Sequence, residues 1–174
     1  VDNEAPVLEA MSDVTISCDE PLPTAQPNAT DNCGVATVTE SSEVTPGDCG
    51  GSYSVLRTFI ATDDCGNSSS TTQTVTVVDD AAPEVVEGPC FGENCALSVN
   101  ELEGETIPVA SLVIVDNCDA NATWTFSDST TDVGPTSQLV IRTYTVSDEC
   151  GNSASYDQFF NVTTVLEGCL DAAA

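Results

Sequence analysis

An internal duplication constrains the fold of this chain more than any other feature. The segment YSVLRTFIATDDCGNSSS at 53–70 aligns with QLVIRTYTVSDECGNSAS at 138–155, 85 residues later. Asp-Asn-Cys at 31–33 recurs at 116–118 with the same offset, and DNEAPVL at 2–8 recurs as DDAAPEV at 79–85. Three markers in one order predict two tandem modules, at 1–79 and 80–174. The second carries eight extra residues, which we place in an insertion at 88–105 between its first two strands.

Alternation within each repeat predicts an all-β fold. Val14, Ile16 and Cys18 alternate with polar residues, and lysine, which favours helices, is absent. A unit of this length, with about seven short strands, is typical of an immunoglobulin-like β-sandwich. Trp124 then falls on strand C as a core residue, and the repeated Asp-x-Cys-Gly-Asn segment forms a tight turn with Gly66 or Gly151 at positive φ.

The charge of the chain excludes several classes of function. Its 174 residues carry 29 acidic side chains, two arginines, no lysine and no histidine, for a net charge of −27. Such a chain is repelled by nucleic acid and by anionic membranes. It also lacks the imidazole and amine groups on which most acid–base and nucleophilic catalysis depends, so we predict a protein that is not an enzyme. No apolar run is long enough to predict insertion into a membrane.

The repeated motifs resemble those of a known family. The pattern Asp-x-x-Ala-Pro, Thr-Asp-Asn-Cys, Arg-Thr-Phe-x-Ala-Thr-Asp-x-Cys-Gly-Asn and Thr-Val-x-Val-x-Asp is similar to hyalin-repeat (HYR-type) modules, in particular their cysteine-bearing variety. The resemblance covers nearly the whole chain. It implies immunoglobulin-like modules of an extracellular surface protein, in which such modules act without catalysis as stalks, adhesins or matrix components.

Nine cysteines predict disulfides in an oxidising, extracellular setting, where a secretory signal would already have been removed ahead of Val1. Cysteines that are present or absent together in the two repeats are most simply bonded together. This reasoning predicts three bonds: Cys33–Cys65, Cys118–Cys150 and Cys18–Cys49. For the remaining three, Cys90–Cys95 is one pairing, and Cys169 with either of them is another. Both leave one thiol over, either free or in a disulfide between subunits, and Cys169 is the candidate for the latter.

Acidic residues are expected to converge at one end of each module, where the start of strand A, the B–C loop and the F–G turn meet. Calcium binds six to eight carboxylate and carbonyl oxygens of this kind, although Asp is also an ordinary turn residue. We therefore predict Ca²⁺ sites. Their candidate ligands are Asp2, Glu4, Asp31, Asp63 and Asp64 in module 1, and Asp79, Asp80, Asp116, Asp148 and Glu149 in module 2.

The two arginines and four sequons complete the candidate residues. Arg57 and Arg142 occupy equivalent positions on apolar strand faces, which predicts a structural ion pair within each module. In a secreted eukaryotic protein, glycans could be attached at the four Asn-x-Ser/Thr sequons, which are at Asn28, Asn67, Asn121 and Asn161.

These observations favour a secreted structural protein that forms a subunit or segment of a cell-surface filament or matrix. We expect it to self-associate head to tail into a homopolymer. The alternative is an adhesin module that binds a glycan or protein ligand through its B–C and F–G loops. An accessory domain of a carbohydrate-processing enzyme is a third class.

Overall fold

The alternating segments form β-strands throughout the computed structural model, which describes residues 2–100 and 106–163. The predicted all-β class is confirmed: within these residues the only helical element is a single 3-10 turn at Glu93–Cys95. The chain divides into two compact units. Unit 1 contains the chain up to Asp80 together with Asn117–Asp119, and unit 2 contains 81–116 and the chain from Ala120 onward.

Unit 1 has six strands in two sheets. They are β1 (Val7–Leu8), β2 (Val14–Ser17), β3 (Ala29–Thr30), β4 (Thr37–Pro46), β5 (Tyr53–Thr62) and β6 (Ser68–Val78). One sheet has the order β2-β6-β5-β4, and the other pairs β1 with β3. Strand β2 runs parallel to β6, whereas the other pairs are antiparallel. Strands β4, β5 and β6, with 10 or 11 residues each, are longer than the short strands that the sequence predicted.

The core of unit 1 lies on one face of the larger sheet. Along β5, Val55, Arg57, Phe59 and Ala61 are buried, while the residues between them are half-buried or exposed. This is the face that strand alternation predicted. Val55 packs with Val75 and Val77 of β6, and the half-buried Val14 and Ile16 of β2 extend the cluster. The buried side chains of this face on β5 and β6 are therefore apolar except for Arg57 and Gln73.

The described part of unit 2 repeats this arrangement with six strands. They are β7 (Glu84–Glu87), β8 (Leu97–Asn100), β9 (Val113–Val115), β10 (Thr123–Gly134), β11 (Ser137–Ser147) and β12 (Ser153–Thr163). The larger sheet has the order β10-β11-β12-β8, with β8 parallel to β12, and the smaller sheet pairs β7 with β9. The core cluster contains Val99, Val140, Phe160 and Val162, which again lie on one face.

The described part of the insertion packs against the core of unit 2. A disulfide joins Cys90 to Cys95, which was one of the two predicted pairings. Between them, Phe91 lies edge-on to Tyr144 with ring centroids 5.9 Å apart, and it also contacts Tyr156. Cys169 lies outside the described residues, so its partner stays a prediction.

Trp124 lies on β10, in the position that the sequence predicted for strand C. It is half-buried rather than a core residue, because it belongs to the strand at the edge of the sheet. Its ring contacts Tyr144 at 5.8 Å and Phe126 at 6.4 Å between centroids. An edge strand covers its aromatic side chains on one side only, and Phe126 accordingly stays 41% exposed.

Two predicted disulfides, Cys18–Cys49 and Cys118–Cys150, are wrong. Cys18 is bonded to Cys118, 100 residues later, and both lie in unit 1 because Asn117–Asp119 belongs to it. Cys49 and Cys150 are disulfide-bonded as well. The prediction assumed that a bond stays within one sequence repeat, and co-occurrence of cysteines cannot test that assumption.

The predicted Cys33–Cys65 disulfide is not formed either. Both residues are exposed free thiols. Their placement agrees with the sequence argument, since Cys33 follows β3 and Cys65 lies in the turn between β5 and β6. The sequence thus correctly predicted that Cys33 and Cys65 lie at the same end of the module, but the predicted disulfide between them is wrong.

Candidate cation site of unit 1

Three connections of unit 1 bring carboxylates together. Asp2 precedes β1, Asp31 directly follows β3, and Asp63 lies in the turn between β5 and β6. One carboxylate oxygen from each of them lies within 4.8 Å of the other two. The three side chains line a cleft of about 30 Å³ together with Gly34, Asp64, Cys33 and Cys65. This is the convergence that the sequence predicted for module 1.

Of the two carboxylate oxygens of Asp31, one is hydrogen-bonded and the other is not. Its Oδ2 accepts a hydrogen bond of 3.0 Å from the backbone N–H of Cys33, which closes a short turn after β3. Its Oδ1 is buried and has no hydrogen-bond partner. A buried, unpartnered carboxylate oxygen is costly, and a cation ligated there would satisfy it.

The Asp63 carboxylate organises the turn between β5 and β6. Its Oδ1 accepts backbone N–H bonds from Cys65 at 2.9 Å and Asn67 at 2.8 Å, and its Oδ2 accepts the Asn67 side-chain amide at 2.8 Å. The Asn67 amide, helped by these backbone donors, lowers the pKa of the Asp63 carboxyl below its ordinary range. Gly66 takes φ +91°, as predicted. Asp63 is therefore a charged turn residue whose position is fixed.

Unit 2 contains the same turn. The Asp148 carboxylate accepts both the backbone N–H and the side-chain amide of Asn152 at 2.8 Å, and Gly151 also takes φ +91°. The same local sequence thus forms the same turn in both units.

Glu4 and Asp64 lie beside the three central carboxylates. The side-chain amide of Asn32 donates to Glu4, whose own backbone N–H donates to Asp2 Oδ1 at 3.0 Å. Asp64 lines the cleft from the β5–β6 turn. All five residues predicted for module 1 are therefore at or beside one cleft.

The electrostatics of the cleft favour a cation. Two unit charges 4.8 Å apart repel by about 1 kcal/mol in water and about 3.5 kcal/mol at an effective dielectric constant of 20. The two arginines are both committed to carboxylates elsewhere. The negative potential also acts on Cys33, since the Asp2 carboxylate above all raises the pKa of its thiol.

The residues predicted as a second site fall in both units. Asp79 and Asp80 belong to unit 1, where Asp79 is buried and Asp80 Oδ1 accepts a 3.1 Å hydrogen bond from Ser17. Asp116, Asp148 and Glu149 belong to unit 2. A cation site that combines the two groups stays a prediction.

Arg57 forms the ion pair expected within unit 1. Its Nε lies 2.7 Å from Glu40 Oε1, its Nη1 donates to Gln73 Oε1 at 2.9 Å, and its Nη2 donates to the carbonyl of Ala25 at 3.2 Å. The guanidinium also lies 4.8 Å from the ring centroid of Phe59. Each of the three guanidinium nitrogens of this buried charge therefore has a hydrogen-bond partner, which offsets the cost of burial.

Arg142 forms the corresponding pair in unit 2. Its Nε and Nη2 donate to the two oxygens of Asp128 at 2.7 Å each, and its Nη1 donates to the Pro108 carbonyl at 2.7 Å. This two-pronged contact is the strong form of an arginine–carboxylate pair. Arg142 also lies 4.3 Å from the ring centroid of Phe126.

Sequence reasoning missed two buried glutamines. Gln73 donates through Nε2 to the Ser12 carbonyl at 2.8 Å, and Gln158 accepts a 3.1 Å bond from the Tyr144 hydroxyl. Their exposed fractions are 4% and 2%. They are 85 residues apart, so the repeat offset that identified the arginines could have identified them too.

The four sequons differ in their surroundings. Asn28, Asn121 and Asn161 are exposed, and Asn161 lies on strand β12. The Asn67 side-chain amide is engaged by Asp63 and by the carbonyl of Asp2, which agrees with a structural role in its turn. Glycosylation at these sites stays a prediction.

The predicted family resemblance is confirmed for the first repeat. Residues 6–77 match the family model described as an HYR-like domain with 4 cysteines. The match covers less than half of the chain, and the duplication extends the likeness to the second repeat. No curated protein sequence matches the chain.

Several solved cadherin ectodomains share a weak structural likeness with the chain. A Drosophila N-cadherin EC1-4 structure is 16% identical with a TM-score of 0.40, covering 93% of this chain and 50% of that one. The structure of Protocadherin Gamma B2 extracellular cadherin domains 3-6 is 14% identical with a TM-score of 0.42, covering 95% of this chain and 52% of that one. The chain thus spans about half the length of these two structures. At such scores the likeness carries no argument about function.

Among residues 2–100 and 106–163, no helix has the length and apolar character needed to cross a bilayer.

Proposed function

We propose that this protein is a non-catalytic, extracellular structural module pair whose unit 1 cleft binds Ca²⁺. The disulfides at Cys18–Cys118 and Cys90–Cys95 fit an extracellular domain. The match of residues 6–77 to an HYR-like domain supports the same setting.

The observation that carries the proposal is the cleft of Asp2, Asp31 and Asp63. Three carboxylate oxygens within 4.8 Å of one another form a hard, oxygen-rich ligand set of the kind that Ca²⁺ prefers. The buried, unpartnered Oδ1 of Asp31 is the oxygen most in need of a ligand. Asp63 stays ionised because its pKa is lowered by Asn67.

The test is calorimetric titration of the full chain with Ca²⁺ and with Mg²⁺, before and after Asp31→Asn. Extracellular modules bind Ca²⁺ with Kd values of roughly 10⁻⁴–10⁻³ M. We expect Asp31→Asn to weaken Ca²⁺ binding at least about tenfold, a loss of about 1.4 kcal/mol, because a charged ligand is replaced by a neutral one.

Glu43→Gln is the matched control, since it removes one negative charge from an exposed residue of β4, away from the cleft-lining residues. It should leave the affinity nearly unchanged. If both variants weakened Ca²⁺ binding equally, the result would contradict the proposed site, because the loss of affinity would then follow from the change in net charge alone.

We further propose that copies of the chain assemble head to tail into a filament or matrix. The long edge strands β4 and β10 support this proposal, since unpaired strand edges promote association. Negative-stain microscopy of the purified protein should show fibres. Dispersed particles at all concentrations and calcium levels would contradict it and favour the adhesin alternative.

A further inference from the structure

Unit 1 holds a segment whose sequence belongs to the second repeat. Cys118 of the segment Asn117–Asp119 is bonded to Cys18, and the Asn117 amide donates to Cys18 Sγ at 3.5 Å. Asp119 is only 5% exposed. The segment is therefore held in unit 1 by a covalent bond at Cys118 and by burial of the Asp119 side chain.

The surface that receives this segment is the turn between β4 and β5. A Cβ on Gly50 would lie 2.8 Å from the carboxylate carbon of Asp119, and one on Gly51 would lie 2.5 Å from Cβ of Cys118. Gly51 also takes φ +73°. Both glycines are thus favoured by the close approach of the segment, and Gly51 is also favoured by its backbone conformation.

The rest of the turn is braced. Ser52 Oγ donates to the Cys49 carbonyl at 2.7 Å, and Gly47 N–H donates to the Ser52 carbonyl at 2.9 Å. We call Cys18 together with Cys49–Ser52 the docking turn. Its internal hydrogen bonds restrict its conformation, which lowers the entropic cost of binding.

Unit 1 also carries its own copy of the docked segment. Asn32–Gly34 is equivalent to Asn117–Asp119 at the repeat offset of 85 residues, with Gly34 in place of Asp119. It is exposed, and Cys33 is a free thiol where its counterpart Cys118 is bonded. Cys65 is likewise free and exposed where its counterpart Cys150 is disulfide-bonded.

We propose that Asn32–Gly34 docks on the docking turn of another four-cysteine HYR-like module, with Cys33 forming a disulfide to that module's counterpart of Cys18. The proposal rests on the proposed extracellular function, because the bond requires an oxidising setting. Cys65 lies at the same cleft and is the second attachment point.

The partner module is defined by the two cysteines that it must provide. The second repeat of this chain has no counterpart of Cys18 or Cys49, so it cannot present a docking turn. In a second copy of this chain, Cys18 and Cys49 are already bonded. The partner is therefore a module of the unit 1 type whose two cysteines are unoccupied.

The replacement of Asp119 by Gly34 is compatible with this docking. Gly50 closely approaches the Asp119 carboxylate in the observed contact. A glycine at that position removes a side chain and a negative charge, so the close approach is easier and no buried carboxylate has to be satisfied.

The covalent step needs an oxidant. Glutathione disulfide supplies it: the Cys33 thiolate attacks one of its sulfurs and releases one glutathione. The partner thiolate then displaces the second glutathione from the mixed disulfide. Two protein thiols are oxidised, one protein disulfide forms, and glutathione disulfide is reduced to two molecules of glutathione.

The experiment uses the full chain preceded by an added copy of residues 2–78. Val78 of the added copy is followed directly by Asp2, which reproduces the natural Val78–Asp79 sequence. After folding in a glutathione redox buffer, disulfides are mapped by mass spectrometry of peptides. We expect Cys33 of the original chain to be bonded to Cys18 of the added copy and protected from alkylation.

Two further versions keep the test decisive. With Cys18→Ser in the added copy only, the original Cys33 should become fully alkylated, while Cys18–Cys118 of the original chain still forms and reports correct folding. A version with a short flexible Gly–Ser linker at the join should give the same Cys18–Cys33 bond, since docking and not the join selects the pairing.

The proposal would be overturned if Cys33 of the original chain were bonded to Cys65. It would also be overturned if Cys33 remained open to alkylation in both versions that keep Cys18 in the added copy. The calcium titration uses the original chain without the added copy. Failure of docking would leave that affinity unchanged, so the two proposals fail separately.

Discussion

At the scale of single residues, the repeat marks which polar groups are buried. Arg57 and Arg142 were predicted on apolar faces because they alternate with Val, Phe and Tyr, and both are about 95% buried with a carboxylate partner. The identity of those partners could not be predicted. Glu40 and Asp128 are single acidic residues among 29, and only strand register brings each of them opposite its arginine or close to it.

Replacing Asp128 by Asn should destabilise unit 2 by about 2 kcal/mol. Removing the partner of a buried charge costs about 3–5 kcal/mol in full burial, and the effect is smaller here because the Asp128 side chain is 34% exposed. Urea denaturation measures the change. Asp132→Asn on the same strand, where the exposed carboxylate accepts a hydrogen bond from the side chain of Gln138, should change stability by less than about 0.5 kcal/mol.

The same pair predicts a dependence on pH. The hydrogen bond from Arg142 lowers the pKa of Asp128, as that from Arg57 lowers the pKa of Glu40. A carboxyl whose pKa is lower in the folded state stabilises the fold above its unfolded pKa, and this contribution is lost as the pH falls through the folded pKa.

The difference in stability between the wild-type protein and Asp128→Asn should therefore be largest above about pH 5. It should shrink as the pH falls below the unfolded value of about 3.9. Urea denaturation at a series of pH values measures it. A difference that stays constant down to about pH 2 would contradict the assignment of this pKa to the ion pair.

At the scale of elements, the Asp-x-Cys-Gly-Asn turn was the most predictable part of the site. Its residues form the turn through their own hydrogen bonds, and it appears twice with Gly66 and Gly151 at the same φ. Strand lengths were less predictable. Strand β4 is exposed along most of its length, so burial leaves no alternation in its sequence from which to read its extent.

Replacing Gly66 or Gly151 by Ala should destabilise each unit by about 1–2 kcal/mol. No atom lies within 4 Å of the added Cβ at either position, so the cost is backbone strain alone. Denaturant titration should show similar effects at the two sites. Gly134→Ala is the control, because the nearest atom is 3.8 Å away and no positive φ is required there, and it should be nearly neutral.

At the scale of the whole molecule, covalent and electrostatic features counter a net charge of −27. The Cys18–Cys118 bond closes a loop of about 100 residues, which the chain-entropy model values at about 4.7 kcal/mol. The sequence could not predict this bond, because equivalent cysteines in two repeats are equally consistent with pairing inside a repeat or between repeats. The cleft of Asp2, Asp31 and Asp63 could be predicted, since its residues lie in connections that the fold brings to one end.

The thermal unfolding of the full chain in millimolar Ca²⁺, compared with the same chain in EDTA, tests the central claim most directly. Binding at ten times Kd stabilises the folded state by about 1.4 kcal/mol, and 1 kcal/mol raises the Tm of a domain of 60–100 residues by roughly 4–8 °C. We predict a Tm rise of at least about 4 °C for the wild-type protein that Asp31→Asn largely abolishes. Equal melting temperatures in Ca²⁺ and EDTA would contradict the proposed calcium site.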